Sequence, residues 1–290
     1  MNTTYRNPIF EEQAEVLVHV EHPGEQYILR LKAPKTAAHA EPGQFVHLRV
    51  SPGRLLRRPI SIMLTDPDKG TVDLLYKAVG DGTHELAERK PGEVLPMLGP
   101  IGRPFDLSDD SRRYVLIGGG VGIPPMIFAA DRLKGRADVV VFAGSEVAFP
   151  FALRPSEFLL PGITGNTILG ITSLEARGVP SRLASNADMY GCYAGHVPDL
   201  ARAYLTALND ADRARCVILS CGPHPMLHGV ARLGRETGVE TFLSLEEHMA
   251  CAIGGCAGCV VKTQEEDGEH YRRVCVDGPV FPAGILPEFA

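Results

Sequence analysis

Between about Gln13 and Phe105, apolar and polar residues alternate in short runs: AEVLVHV, YILRLKA, GQFVHLRV, RPISIML and TVDLLYKAV, separated by clusters of Pro, Gly and Asp. A period of two belongs to strands with one buried face, and these runs predict an antiparallel barrel. Asp66-Pro67-Asp68-Lys69-Gly70 has the residues of a hairpin connection. THELAERK interrupts the strands with a short helical pattern.

From Ser111 the pattern changes. RRYVLIGGG reads as a buried strand ending in glycines, and IPPMIFAADRLKG continues with the spacing of an apolar-faced helix. ADVVVFAG supplies a second such run, and RCVILSCGPHPMLHGVARLGRE repeats strand, Gly-Pro turn and helix. Strands alternating with helices predict a parallel α/β sheet. Phe149 to Ala194, rich in Pro, Gly and Ser, defines no clear elements, and from about Leu245 onward the chain has no long period.

A chain of 290 residues exceeds what one core usually organises, so at least two domains are expected. The formal net charge of -6 leaves no basic field to hold a nucleic acid backbone. The longest uncharged run, Tyr114 to Ala130, is broken by glycines and two prolines, which argues against a membrane span. Residues 1–16 lack the basic-then-apolar order of a signal peptide, so a cytoplasmic protein is expected. Seven cysteines, four of them crowded at one end, suit metal ligation in a reducing compartment better than a disulfide framework.

Those four carry the sharpest signal. Cys251, Cys256 and Cys259 lie in a C-x4-C-x2-C pattern on the loop EEHMACAIGGCAGCVV, and Cys275 follows in YRRVCVDGPVF. Structural zinc sites usually pair cysteines in two short knuckles, whereas this spacing with a distant fourth thiolate is that of plant-type [2Fe–2S] sites. The small residues between the cysteines let the chain wrap closely and aim backbone N–H groups at sulfur. Zinc is the competing reading. Cys192 and Cys216 fit neither spacing and read as core residues.

A one-electron centre needs a partner that handles hydride. In the barrel region, Arg58-Pro59-Ile60-Ser61 and Leu75-Tyr76-Lys77 lie on successive strands, followed by Gly80-Asp81-Gly82-Thr83 at a helix start. Arg58 and Lys77 suit a pyrophosphate, Ser61 an isoalloxazine edge, and the amides near Gly82 and Thr83 phosphate oxygens. In the second region, Gly118, Gly119, Gly120 and Gly122 close a strand and Pro124 opens a helix, where backbone can approach a dinucleotide pyrophosphate. Glu146, after the next strand, could meet an adenosine ribose, which would favour NADH over NADPH, though a solvated loop acid is the more ordinary reading.

These motifs resemble the ferredoxin reductase superfamily, whose barrels bind flavin through an Arg-x-Tyr-Ser type motif and whose second domain binds a nicotinamide dinucleotide. Ile60 stands where many members carry tyrosine. Cys221-Gly222-Pro223 is similar to the superfamily's C-G-P turn, and the resemblance places Cys221 beside the nicotinamide as a positioning residue at the catalytic centre.

Taken with the carboxy-terminal cysteines, RRPISI, the Gly118 to Pro125 turn, CGPHPML and RVCVDGPVF resemble the electron-transfer subunits of class B dihydroorotate dehydrogenases over nearly the whole chain. The resemblance implies an α+β multidomain fold: an FAD-binding β-barrel in residues 1–108, an NAD-binding parallel α/β domain in 109–244, and a [2Fe–2S] module in 245–290. It implies FAD, a [2Fe–2S] cluster, NAD(H) as co-substrate, and an FMN-containing dihydroorotate dehydrogenase catalytic subunit in a two-plus-two heterotetramer. Two rivals keep different functions: a small flavin/[2Fe–2S] subunit of an electron-bifurcating NADH-dependent ferredoxin:NADP oxidoreductase or hydrogenase-type complex, and a non-catalytic zinc-binding interaction protein.

Overall fold

The computed structural model describes residues 8–290, so the first seven residues of the stretch read for a leader lie outside the described residues. The amino-terminal half contains β1 (Phe10–His22), β2 (Gln26–Lys32), α1 (Pro34–His39), β3 (Phe45–Leu48), β4 (Arg58–Asp66), β5 (Thr71–Lys77), α2 (Asp81–Ala87) and β6 (Val94–Ile101). The six strands close into a barrel in the order β1-β2-β5-β4-β3-β6, every pairing antiparallel. Alternation produces the closure: Ala14, Val16, Leu29, Leu31, Ile62, Val72 and Leu74 fill the interior while their neighbours in sequence face outward. The Asp66 to Gly70 segment joins β4 to β5 as expected, with Gly70 at a φ of 60° that favours glycine.

The second half comprises β7 (Arg113–Gly119), α3 (Ile123–Leu133), β8 (Asp138–Gly144), β9 (Leu153–Pro155), β10 (Leu169–Ile171), α4 (Thr172–Glu175), β11 (Ser181–Ser185), β12 (Tyr193–Ala194), α5 (Val197–Ala207), α6 (Asp210–Ala214), β13 (Cys216–Cys221), α7 (His224–Thr237) and β14 (Glu240–Ser244). β12, β11, β8, β7, β13 and β14 lie side by side in parallel. The burial of β7 from Tyr114 onward and of all of β13 follows from this, since a central parallel strand is covered on both faces. α3 packs on one face and α5 and α7 on the other.

The carboxy-terminal segment is less separate than its sequence suggests. β15 (Val260–Glu265) and β16 (Gly268–Arg273) form a hairpin, and β17 (Val280–Pro282) then joins the parallel sheet as its antiparallel edge, paired with β14. On the way, the Arg103 amide donates to Gly278 O (2.6 Å) and the Leu245 amide to Pro279 O (2.9 Å). One segment therefore touches both the barrel exit and the sheet. A single apolar cluster runs from Phe45 and Ile101 of the barrel through Val115 and Ile218 of the sheet to Cys259, Cys275 and Phe281.

α3 also packs against β4. Gln26, fully covered in the β1–β2 hairpin, donates to Ala148 O (2.9 Å) in the loop after β8. These contacts hold the barrel against the carboxyl ends of the parallel strands, where open α/β sheets bind their ligands.

Candidate redox centre

Cys251, Cys256, Cys259 and Cys275 are all free of disulfides; Cys259 and Cys275 are buried, while Cys256 is exposed. Cys259 lies just before β15 and Cys275 just after β16, so the hairpin brings together thiols separated by fifteen residues in the chain. The loop between the other two is wound to face them. Ala252, Gly254 and Ala257 have positive φ values of 54°, 87° and 52°, a winding that turns successive amides toward one concavity. The Gly258 amide donates to Cys256 Sγ at 3.4 Å.

The acidity of Cys251 reports the same geometry. Burial opposes its ionisation, but backbone donors from Ile253, Cys256 and Gly255 outweigh that and bring its pKa down to about 6. Burial, followed by the neighbouring Cys259, pushes the Cys275 thiol up instead. Amides aimed at the sulfurs of Cys251, Cys256 and Cys275 suit a thiolate-bound anionic cluster, whose sulfide and cysteine sulfurs both accept hydrogen bonds. The donor set and the cradle therefore fit a [2Fe–2S] group.

At the carboxyl edge of the sheet, Cys221 sits in register with Gly118 on one side and Ser244 on the other. Its side chain is enclosed; burial, then the Glu246 charge, raises its pKa to about 12 against a smaller opposing effect of Ser244. At neutral pH this is a thiol and neither a base nor a nucleophile. Ser244 and Glu246 join it here, unmarked by any sequence motif.

The glycines around Cys221 are there largely for packing, a reason different from the one their motif suggests. A Cβ on Gly122 would lie 2.3 Å from Cys221 O, and one on Gly119 2.4 Å from Met226 Sδ. One on Gly222 would lie 2.5 Å from Met226 Cε, whereas Gly120, at φ 52°, has open space beside it. The turns after β7 and β13 thus interlock, and Gly120 is left at the mouth. The helix end is also poorer in donors than expected. The Ile123 amide bonds to Gly120 O, and Pro124 and Pro125 have none, so the first turn of α3 offers a dipole with almost no free N–H. A pyrophosphate here must rely on the backbone of the 119–122 turn.

In the barrel, Arg58 begins β4 and its guanidinium lies over α2: a Cβ on Gly82 would come within 2.3 Å of Arg58 Nη2. Arg58 Nη1 donates to Leu56 O (2.9 Å), and neither Arg58 nor the exposed Lys77 faces a carboxylate among the described residues. Pro59 and Ser61 are partly exposed on β4. Arg58, over Gly82 and facing no carboxylate among the described residues, fits the diphosphate of FAD.

Thr83 corrects an expectation. α2 starts at Asp81 rather than at Thr83, and Thr83 uses its amide (2.9 Å) and its hydroxyl (3.0 Å) on Gly80 O. The free amides are those of Asp81 and Gly82. Ile60, Leu75 and Tyr76 are committed to packing: Ile60 and Tyr76 belong to the barrel core and Leu75 to the α3 interface, so only their backbones are available to a cofactor. Tyr76 stacks on Tyr27 at 5.3 Å, and its hydroxyl shares a 2.9 Å hydrogen bond with His19 Nε2. Glu146 is exposed directly after β8, level with the Gly118 turn.

His47 carried no sequence signal. It lies on β3 between Pro59 and Leu98, has no exposed surface, and neither ring nitrogen reaches a hydrogen-bond partner among the described residues. The backbones of Arg57 and Met249 face the ring, placing it between the barrel and the cysteine loop. Burial, then the Arg57 charge, lowers its pKa from 6.5 to about 4. An unfolded chain therefore binds a proton that the folded one refuses between these values, and stability falls as pH drops through that window. Equilibrium urea unfolding at pH 7 and 4.5 is expected to show a loss on the order of 2 kcal/mol from this residue. His47→Leu should flatten the slope; an unchanged slope would contradict the assignment.

Comparison with known proteins agrees with both halves of this geometry. Residues 246–286 match the family described as the iron-sulfur cluster binding domain of dihydroorotate dehydrogenase B, and residues 16–105 match the oxidoreductase FAD-binding domain. The dihydroorotate dehydrogenase B (NAD(+)) electron transfer subunit of Shouchella clausii (strain KSM-K16) is 35% identical over 266 residues, covering 90% of this chain and 92% of the relative. That of Bacillus cereus (strain B4264) is 34% identical over 291 residues, covering 96% and 97%.

Among solved structures, that of an NADH-dependent reduced ferredoxin-NADP oxidoreductase aligns with a TM-score of 0.76 at 23% identity, covering 95% of this chain and 90% of that one. A ferredoxin reductase of carbazole 1,9a-dioxygenase aligns at 0.62 and 22% identity, covering 80% and 67%. These two likenesses concern the fold: a ferredoxin reductase-like barrel and sheet. The amide-lined cysteine loop and the curated relatives together decide the rest, and the chain belongs to the family of dihydroorotate dehydrogenase B electron transfer subunits.

Proposed function

We propose that the chain serves as the electron-transfer subunit of a dihydroorotate dehydrogenase B, an NAD-dependent flavoprotein oxidoreductase that supports oxidation of dihydroorotate to orotate in pyrimidine biosynthesis. The observation that carries this reading is the cysteine loop, whose amides face Cys251, Cys256 and Cys275 and whose hairpin packs into the same core as the barrel and the sheet. When bound, FAD supplies the conversion between hydride and single electrons, and the [2Fe–2S] cluster supplies the one-electron step.

The chain's own residues bind and orient. Arg58, Lys77 and the Asp81 and Gly82 amides neutralise the FAD diphosphate. The 119–122 backbone takes the dinucleotide, Cys221 fills space beside the nicotinamide without ionising, and Glu146 opposes a 2′-phosphate, which selects NAD(H). Residues 1–108 form the flavin unit, 109–244 the nicotinamide unit and 245–290 the cluster unit. The partner is an FMN-containing catalytic subunit, joined in a two-plus-two assembly in the cytoplasm. Among the described residues no helix is long and apolar enough to cross a membrane.

Reconstitution tests this directly. The purified chain should contain iron and acid-labile sulfide, and mixing it with a dihydroorotate-oxidising FMN subunit should produce dihydroorotate-dependent NAD+ reduction. A chain that copurifies instead with a large bifurcating subunit, or that holds one zinc and no iron, would overturn the reading. Arg58→Ala should weaken FAD retention by about 1.5–3 kcal/mol, roughly ten- to a hundredfold, because a charge-assisted contact to the diphosphate is lost. Flavin content after gel filtration measures it.

A further inference from the structure

His224 and His228 lie one turn apart on α7, and their ring nitrogens and a carboxylate oxygen of Glu288 all fall within 4.8 Å of one another. We propose that these three side chains bind one zinc-class divalent cation, which fastens the carboxy-terminal turn to the first turn of α7.

Spacing comes first. Residues i and i+4 share a helix face, so two imidazoles at 224 and 228 can converge on one ion without any backbone change. His224 Nδ1 lies 3.3 Å from Glu288 Oε1. With metal–ligand distances of about 2.0–2.2 Å, the edge of a tetrahedral site is about 3.3–3.6 Å, so this pair already stands at a coordination distance.

The third ligand is also held in place. The Phe289 ring, 1% exposed, packs 5.1 Å from the His224 ring and 4.7 Å from that of His228, so it braces both imidazoles. Arg235 Nη1 donates to Phe289 O at 2.5 Å, anchoring the next residue to α7 as well. All three donors are exposed, which leaves remaining coordination positions to water. Two imidazoles and one carboxylate suit zinc and its neighbours in the transition series rather than magnesium or calcium, which prefer all-oxygen shells. A His–Glu ion pair without metal is the competing explanation of the same contacts, and it predicts no cation uptake.

Calorimetric titration of the full chain, carrying FAD and cluster in the oxidised state, with zinc chloride in a non-chelating buffer decides between them. We expect one equivalent of zinc beyond the cluster iron and a zinc-dependent rise in Tm. His228→Ala and Glu288→Gln should each weaken binding by at least about tenfold, the lower end of what losing even an outer-shell partner costs. Oxidised flavin and cluster give no electron paramagnetic resonance, so added copper(II) reports its ligands cleanly. Its spectrum should show nitrogen splitting from two imidazoles, reduced in His228→Ala. Absence of zinc uptake, uptake unchanged in both His228→Ala and Glu288→Gln, or copper signals carrying only sulfur donors would each overturn the site.

Discussion

Replacing Cys256 with serine is expected to reduce dihydroorotate-dependent NAD+ reduction to background while NADH oxidation by dyes that draw directly on the flavin stays near its original rate. Cys256 is exposed and outside the apolar core, so its loss removes a thiolate without opening a cavity. Cys275 makes the control. It is 1% exposed within the core shared by sheet and hairpin, so Cys275→Ser should lose the same activity and also lower stability by about 1–3 kcal/mol, the cost of an unsatisfied buried hydroxyl. Parallel loss of dye and partner activities in Cys256→Ser would contradict the proposed order of centres. Both assays on one preparation, with urea unfolding, separate the outcomes.

The second large effect is expected from Gly122→Ala. The added methyl would meet Cys221 C and O and the Gly222 amide at 2.3–2.5 Å, all backbone atoms that cannot swing aside as a flexible side chain does. The two strand-end turns must part, at a cost of about 1–3 kcal/mol for overpacking. Parting them shifts the Gly119 to Gly122 amides and Cys221 together, so NADH oxidation should fall even with artificial dyes, while FAD remains bound to the barrel. Gly120→Ala is the contrast: nothing crowds its site, and only the φ of 52° opposes it. It should cost about 1–2 kcal/mol from the left-handed backbone and leave the turns interlocked. Steady-state kinetics with NADH and flavin content of the two variants measure the difference.

Legibility in the sequence followed the kind of physics involved. β7 and β13 stood out because burial on both faces writes a mostly apolar run, and the barrel strands because burial on one face writes alternation. The β15–β16 hairpin escaped because a fully buried Thr263 occupies one of the interior positions that an apolar residue would have marked. Phe149 to Ala194 was opaque because its strands, β9 to β12, are two to five residues long, too short to establish a period. At the site, thiolate spacing was visible as a motif. The positive φ of Ala252 and Ala257 was not, since alanine gives no hint of a left-handed residue. His47 and the Tyr27–Tyr76–His19 group were equally hidden, because their environments are made by residues distant in the chain.

All four cysteines precede β17, and β17 is the strand that covers the outer edge of β14. During synthesis, that flank of the nucleotide-binding layer stays bare until every sulfur donor has left the ribosome. A chain cut before Val280 would keep β14 as an open, adhesive strand flank, and it is expected to self-associate.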